Sequence, residues 1–243
     1  MGCAGWSLPL AEQEHFPGGG THLSRYAGRF PVVEINTSFH RPHRPSTYAR
    51  WAESVPAGFR FSVKIPKAIT HVQRLLDAED ALDTFLAEAG SLGDRLGCLL
   101  VQLPPSLAFD AEVAAAFFRA LRERWPGAAA CEPRHPDWFA PQADRLLAEM
   151  RVARVAADPA PVPAAAEPGG WEGLVYRRLH GSPRTYYSAY GEDHVAALAP
   201  RLAMEAAAGA PSWCIFDNTA AGAATTDALA LLRHLPPDVL PAS

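Results

Sequence analysis

Eight short apolar runs, separated by stretches of helical spacing, constrain this 243-residue chain more tightly than anything else in it. They are GCAGW (2–6), VVEIN (32–36), FRFSVKI (59–65), GCLLVQL (97–103), AAACEP (128–133), VARVAAD (152–158), LVYRRLH (174–180) and WCIFDN (213–218). Runs of this length, bounded by turn residues, read as strands. Between and after them THLSRYAGR, PSTYARWAES, AEDALDTFLAEAGSLGDRL, DAEVAAAFFRALRERW, PQADRLLAEM, EDHVAALAPRLAMEAAAG and AAGAATTDALALLRHL have helical spacing. Several open on a proline, aspartate or threonine suited to a first turn. The sixth connection, PAPVPAAAEPGGWEG, holds too much proline for a helix and reads as a loop. The pattern predicts an α/β fold, a TIM-like (β/α)8 barrel with the sixth helix replaced by this Pro/Ala-rich loop, ahead of a doubly wound sheet.

No shift in composition divides the chain, so residues 1–243 are expected to form a single domain. The first strand begins almost at Met1, which leaves it about five residues to pair. A net charge of −4 and a pI near 6.1 give no footprint for nonspecific binding of nucleic acid or anionic membrane. The opening MGCAGWSLPL lacks the basic and apolar regions of a signal peptide, and a cytoplasmic location is expected. Cys3, Cys98, Cys131 and Cys214 lie far apart in apolar surroundings, as buried small hydrophobes rather than a disulfide or zinc framework.

A barrel of this kind builds its active site at the carboxyl ends of its strands, and polar residues crowd those positions here. Glu34 and Asn36 share a face of the second strand because side chains alternate with period two. Ser62 and Lys64 share one on the third, with His71 in the following loop. Gln102 ends the fourth; Glu132 ends the fifth, ahead of Arg134, His135 and Trp138; Asp158 ends the sixth; Arg178 and His180 share a face of the seventh; Asp217 and Asn218 close the eighth. Unpaired, such charges would cost several kcal/mol each inside a barrel mouth, so they require a paired network or a ligand. Trp6, Phe39, Trp138, Tyr187 and Tyr190 are available to wall a pocket, whereas His40, His43 and Arg44 are expected to face solvent.

There is no G-x-S-x-G elbow, H-E-x-x-H, Walker loop or dinucleotide fingerprint, which disfavours nucleophilic hydrolase chemistry.

Several stretches together carry a family likeness: GCAGWS, FPVVEINTSFHRPHRPSTYARWAESVPAGFRFSVKIPKAITH, LGCLLVQLPPS, CEPRHPDWF, YRRLHGSPRTYYSAY and FDNTAAGAATTDAL. In their order and spread, from the first residues to about Leu232, the chain resembles the YecE-like family, domain of unknown function 72. The resemblance implies a TIM-barrel-like fold and no established reaction. It maps the family's strand-end motifs onto Glu34, Asn36, Lys64, His71, Gln102, Glu132, Arg134, His135, Arg178, His180, Gly181 and Asn218. Two departures stand out: the apolar residues that usually precede the first-strand glycine are missing, and Asp217 stands where members often have a second asparagine.

The expected function is an enzyme acting on a small anionic, phosphorylated or carboxylated substrate. Glu34, Glu132, His180 and Lys64 would do the proton transfer, and Asn36, His71, Gln102, Arg134, His135, Arg178, Tyr187 and Asn218 would bind substrate. No cofactor is required by this reading. One alternative is a divalent-metal hydrolase, isomerase or endonuclease with Glu34, Glu132 and Asp217 as ligands. Another is a noncatalytic module that binds nucleic acid or protein through FHRPHRPSTYAR. No membrane partner is expected, and nucleic acid is not favoured.

Overall fold

The computed structural model describes residues 1–236, and strand and helix alternate through it. Ten strands form one sheet: β1 (Gly2–Ala4), β2 (Val32–Ile35), β3 (Arg60–Lys64), β4 (Leu96–Gln102), β5 (Ala128–Glu132), β6 (Ala153–Arg154), β7 (Ala156–Asp158), β8 (Gly169–Gly170), β9 (Val175–Leu179) and β10 (Ser212–Phe216). Their order is β7-β9-β10-β1-β2-β3-β4-β5-β6-β8. Every pairing is parallel except that of β6 with β8.

The strand count exceeds eight for two local reasons. The sixth run is broken at Val155, so its first half pairs with β5 and its second with β9. Val155 N still donates to Cys131 O at 2.8 Å. One run thus reaches both ends of the sheet, which becomes nearly closed and barrel-like. The glycines of β8 then add a short antiparallel strand at β6. At the other end of the chain β1 is only three residues long, yet it pairs with β10 on one side and β2 on the other.

Seven α-helices follow strands: α1 (His22–Ala27), α2 (Pro45–Glu53), α3 (Glu79–Ala89), α4 (Ala111–Arg124), α5 (Pro141–Glu149), α6 (Glu192–Ala207) and α7 (Ala223–His234). Local chemistry fixes their starts: the Thr21 side chain accepts from Ser24 N, that of Asp110 from Glu112 N and Val113 N, and prolines open α2 and α5. The third helical stretch is shorter than its periodicity predicts. Gly93, at φ 54°, interrupts it, and a 3-10 segment (Gly90–Arg95) leads into β4. Between β7 and β9 lie only a 3-10 turn (Pro163–Ala166) and β8, in keeping with the proline content. The expected domain runs to residue 243; residues 237–243 lie outside those described.

Alternation along the strands separates two environments. Val33, Ile35, Phe61, Val63, Leu99 and Val101 are buried in the core that Phe85, Phe117, Phe118 and Leu121 of the helices share. The opposite face begins apolar, with Cys98, Leu100, Ala130, Tyr176, Trp213 and Ile215 in a cluster of their own. Toward the carboxyl ends that same face turns polar, through Glu34, Ser62, Lys64, Gln102, Glu132 and Arg178, all buried. The four cysteines are buried and free, as expected. Among the described residues no helix is long and apolar enough to cross a membrane.

Candidate functional site at the carboxyl ends of the strands

The site is organised around Arg178, two residues beyond Tyr176 on the inward face of β9 and fully buried. Its Nε and Nη2 donate to the two oxygens of Glu34 at 3.1 and 2.7 Å. Nη1 donates to Glu132 Oε2 at 2.5 Å, and Nη2 reaches Asp217 Oδ2 at 2.9 Å. Strands β2, β5 and β9 and the end of β10 therefore meet at one guanidinium. The sequence suggests Arg178 as a binder of substrate anion; instead its donors are committed to three carboxylates of this chain. Geometry of this quality is what lets buried ions offset their desolvation.

His180 completes the ring. Its Nε2 lies 2.8 Å from Glu132 Oε1 and its Nδ1 3.0 Å from Asp217 Oδ2. An imidazole flanked by carboxylates on both sides must donate from both nitrogens, which makes it an imidazolium. Burial alone would lower its pKa, but Glu132 and Asp217 outweigh burial and raise it. Burial likewise pushes the carboxyls of Glu132 and Asp217 up, and it is outweighed by Arg178 and His180, so both fall below the usual carboxylate range. Arg134 Nε adds a bond to Glu132 Oε1 at 2.9 Å. Asn36 Nδ2 donates to Asp217 Oδ1 at 3.0 Å, while Asn36 Oδ1 is buried without a partner among the described residues.

Below the guanidinium, the Tyr176 hydroxyl donates to Glu34 Oε2 at 2.7 Å and lies 2.8 Å from Ser62 Oγ. Tyr176 is the residue that the strand-end search passes over. It shares its face with Arg178 and His180, so the same period-two rule finds it once the search extends one layer down. Asp227, inside α7, gives no strand-end signal either; it accepts from Asn218 Nδ2 at 2.6 Å and Tyr190 N at 3.0 Å.

Lys64 differs from every other cation of the mouth. It is 8% exposed, and its Nζ stands 4.2 Å from the centroid of the Phe39 ring. It makes no ion pair within 4.0 Å among the described residues. Burial, then Arg178, lowers its pKa from 10.5 to about 8 against the pull of Glu34, Glu132 and Asp217. His71 packs edge-on to the same Phe39 ring, at 4.9 Å between centroids, and bonds Thr70 Oγ1 through Nδ1. Burial and the nearby cations Lys64, Lys67 and Arg134 lower its pKa, leaving it neutral at pH 7.

The remaining expected residues sort themselves. Gln102 is buried in register with Glu132. Asn218 is committed through Nδ2 to Ser188 O and Asp227. His135 caps the 3-10 turn Pro136–Phe139 by accepting from Asp137 N, apart from the ring of charges. Tyr187 is half exposed, with the Arg184 guanidinium 3.8 Å from its ring centroid. Trp138 belongs to the core, its Nε1 donating to Leu107 O, and lines a cavity of about 260 Å³ with Arg74 and Ser106, away from the ring of charges; Tyr190 is buried with its hydroxyl on Asp158. His43 is partly exposed, and its neighbours His40 and Arg44 are exposed; His43 meets Thr37 Oγ1 at 2.7 Å and the Trp51 ring edge-on.

The metal set of Glu34, Glu132 and Asp217 does converge, but on Arg178. A cation seated among those oxygens would have to displace a guanidinium that bonds all three, so the residues present do not fit a metal at that point.

The family model for proteins of unknown function DUF72 matches residues 1–242. The UPF0759 protein YecE of Escherichia coli K12 is 34% identical over 152 residues, which cover 60% of this chain and 55% of YecE. YunF of Bacillus subtilis is 26% identical over 125 residues, covering 49% of this chain and 44% of its own length. The aligned part thus spans about half the length of these curated relatives. Among solved structures, a DUF72 family protein of Enterococcus faecalis superposes with a TM-score of 0.80 at 23% identity, over 100% of this chain and 98% of that one. One from Thermotoga maritima gives 0.75 at 22% identity, over 95% and 96%. These structural likenesses carry the fold.

Proposed function

The chain belongs to the DUF72 family of proteins of unknown function, and from the geometry of its barrel mouth we propose that it is an enzyme acting on a small anionic, phosphorylated or carboxylated substrate by acid/base chemistry. The observation that carries this reading is Lys64: an amine at the rim, backed by an aromatic ring, with no carboxylate of the described residues claiming it. With a pKa of about 8, about one amine in ten is neutral at pH 7, enough to take a proton from a substrate and return it.

Charge balance supports an anion as the partner. Glu34, Glu132 and Asp217 face Arg134, Arg178, His180 and Lys64, leaving one positive charge when Lys64 is protonated. The partly exposed Arg134 guanidinium and neutral His71 flank the place where that anion would sit. Asn36 Oδ1 offers an unused acceptor for a substrate hydroxyl. In this reading Glu34 and Glu132, expected from the sequence as proton carriers, form the anionic frame with Arg178 and His180. Their burial and their full complement of donors suit them to holding position. The sheet is then a (β/α)8 barrel with a sixth strand broken at Val155 and a sixth helix replaced by a turn, in one domain. A cytoplasmic setting goes with it, supported by four free cysteines.

The test is a thermal-shift panel of inorganic phosphate, phosphorylated sugars, small carboxylates and divalent metals. Ligand at a hundredfold over its Kd adds about 2.7 kcal/mol, several degrees in a chain of this size. Stabilisation by anions, lost in Lys64→Met and Arg134→Gln, is expected. Stabilisation by metals alone, lost in Glu34→Gln, would reject the reading.

A further inference from the structure

The amino ends of the strands hold a second concentration of charge that the mouth does not use. A cavity of about 320 Å³ lies there, lined among others by Arg60, Arg122, Arg151, Gly97, Trp171 and Trp213, and by no Asp or Glu among the described residues. Arg122 Nη1 donates to Gly127 O at 2.7 Å. Its Nε and Nη2 are buried and have no acceptor among the described residues. Arg60 Nη1 is satisfied by the carbonyls of Ala57 and Phe59, which leave its charge unopposed. Buried guanidinium N–H groups without acceptors are costly, and three like charges around one cavity add repulsion. Burial, and then Arg151, lower the pKa of Arg122, as that repulsion requires.

The walls add shape to the charge. A Cβ on Gly97 would come within 2.9 Å of the Trp213 indole and 3.0 Å of Arg60 Cβ, so glycine is what allows the indole and the arginine to lie against the strand. Trp171 lies over Gly173 in the same way, with a Cβ there only 2.1 Å from its ring. Trp213 is held parallel to Tyr176 at 5.8 Å between centroids and 7° between planes. The result is a fixed aromatic wall beside three guanidinium forks.

We propose that this cavity is a second binding site, for a small organic anion with a phosphate or carboxylate head and a flat apolar body. The head is taken by Arg60, Arg122 and Arg151, whose planar forks match either group bidentately. The body lies against Trp171 and Trp213. The volume is at the small end for ligand pockets and holds about one ring with one anionic group.

The test is titration calorimetry with phenyl phosphate, benzoate, phenol and inorganic phosphate on the Lys64→Met protein, in which the barrel mouth is disabled. At least one of the two ring-bearing anions binds at one equivalent, and which of them does so identifies the head group. Phenol and inorganic phosphate each bind about tenfold more weakly or worse. Adding Arg122→Gln, or Arg151→Gln at a position exposed enough to leave folding intact, weakens the ring-bearing anion by about tenfold or more. Failure of both ring-bearing anions to bind, or equal affinity after either arginine replacement, would overturn the proposal and leave the reading of the mouth untouched.

Discussion

Arg178 and Glu34 meet fork to fork, Nε to Oε2 at 3.1 Å and Nη2 to Oε1 at 2.7 Å, with neither side chain exposed to solvent. The pair spans the barrel interior from β9 to β2, which are separated in the sheet by β10 and β1. Glu132 and Asp217 then bind the remaining donors of the same guanidinium, so one residue ties four strands at their carboxyl ends.

Removing that residue leaves three buried carboxylates without their common partner. Arg178→Met is expected to cost about 3–5 kcal/mol in urea unfolding. Arg178→Lys should recover only part of it, because an ammonium cannot form the forked pair. A loss under about 1 kcal/mol would mean that the carboxylates do not depend on the guanidinium.

His180 should imprint itself on the pH dependence of stability. Its folded pKa is raised above the ordinary 6.5 by Glu132 and Asp217, which outweigh its burial. The stabilisation is therefore complete below about 6.5 and fades as pH rises through the folded value. The stability gap between wild type and His180→Gln should be widest at pH 6 and shrink on the alkaline side. Glu132 and Asp217, with lowered pKa values, act at the other end, their contribution being lost as acid protonates them. A gap that widens with pH would contradict the imidazolium assignment.

Lys64 carries the opposite sign. Because burial lowers its folded pKa to about 8, holding it charged costs stability below that pH, and the cost fades between about 8 and 10.5. Lys64→Met should raise stability at pH 7, by about 3 kcal/mol at most, with the gain vanishing near pH 10.5. A residue that stabilises the protein when removed is what a tuned functional amine should be. Unfolding curves at pH 7 and pH 10 decide it, and equal or lower stability of the variant at pH 7 would count against a tuned amine.

Gly181 follows His180 at φ +89°, and a Cβ there would lie 2.5 Å from Ser188 O. Gly181→Ala should therefore cost about 2 kcal/mol or more. It should also disturb the 181–190 segment, where Gly181 N donates to the Tyr190 hydroxyl. Amide hydrogen exchange over that segment, faster in the variant, is the check.

Much of this was legible in the residues. Alternation along VVEIN, FRFSVKI and LVYRRLH put Glu34, Lys64, Arg178 and His180 on inward faces, because period two is a local rule that needs no tertiary information. The break at Val155 was not legible, since it answers to the need to pair with both β5 and β9. Nor was the division of labour among the charges. Sequence gives Arg134 and Arg178 alike as substrate binders, whereas which of them is saturated depends on side chains brought together across up to 144 positions. The arginines of the amino-end cavity, Arg60, Arg122 and Arg151, come from three separate stretches of the chain and share no local signal that would bring them together.

Only two lysines occur in the chain, Lys64 and the exposed Lys67, so a protein labelled with carbon-13 at lysine Cε shows two side-chain signals by NMR. Titrating it with and without phosphate tests the central claim directly. The Lys64 signal is expected to titrate near pH 8 and to move upward when phosphate binds, as an anion beside the amine favours its charged form. A Lys64 signal that titrates near the free-lysine value of about 10.4 and ignores phosphate would contradict the claim that this amine is the working group of an anion site.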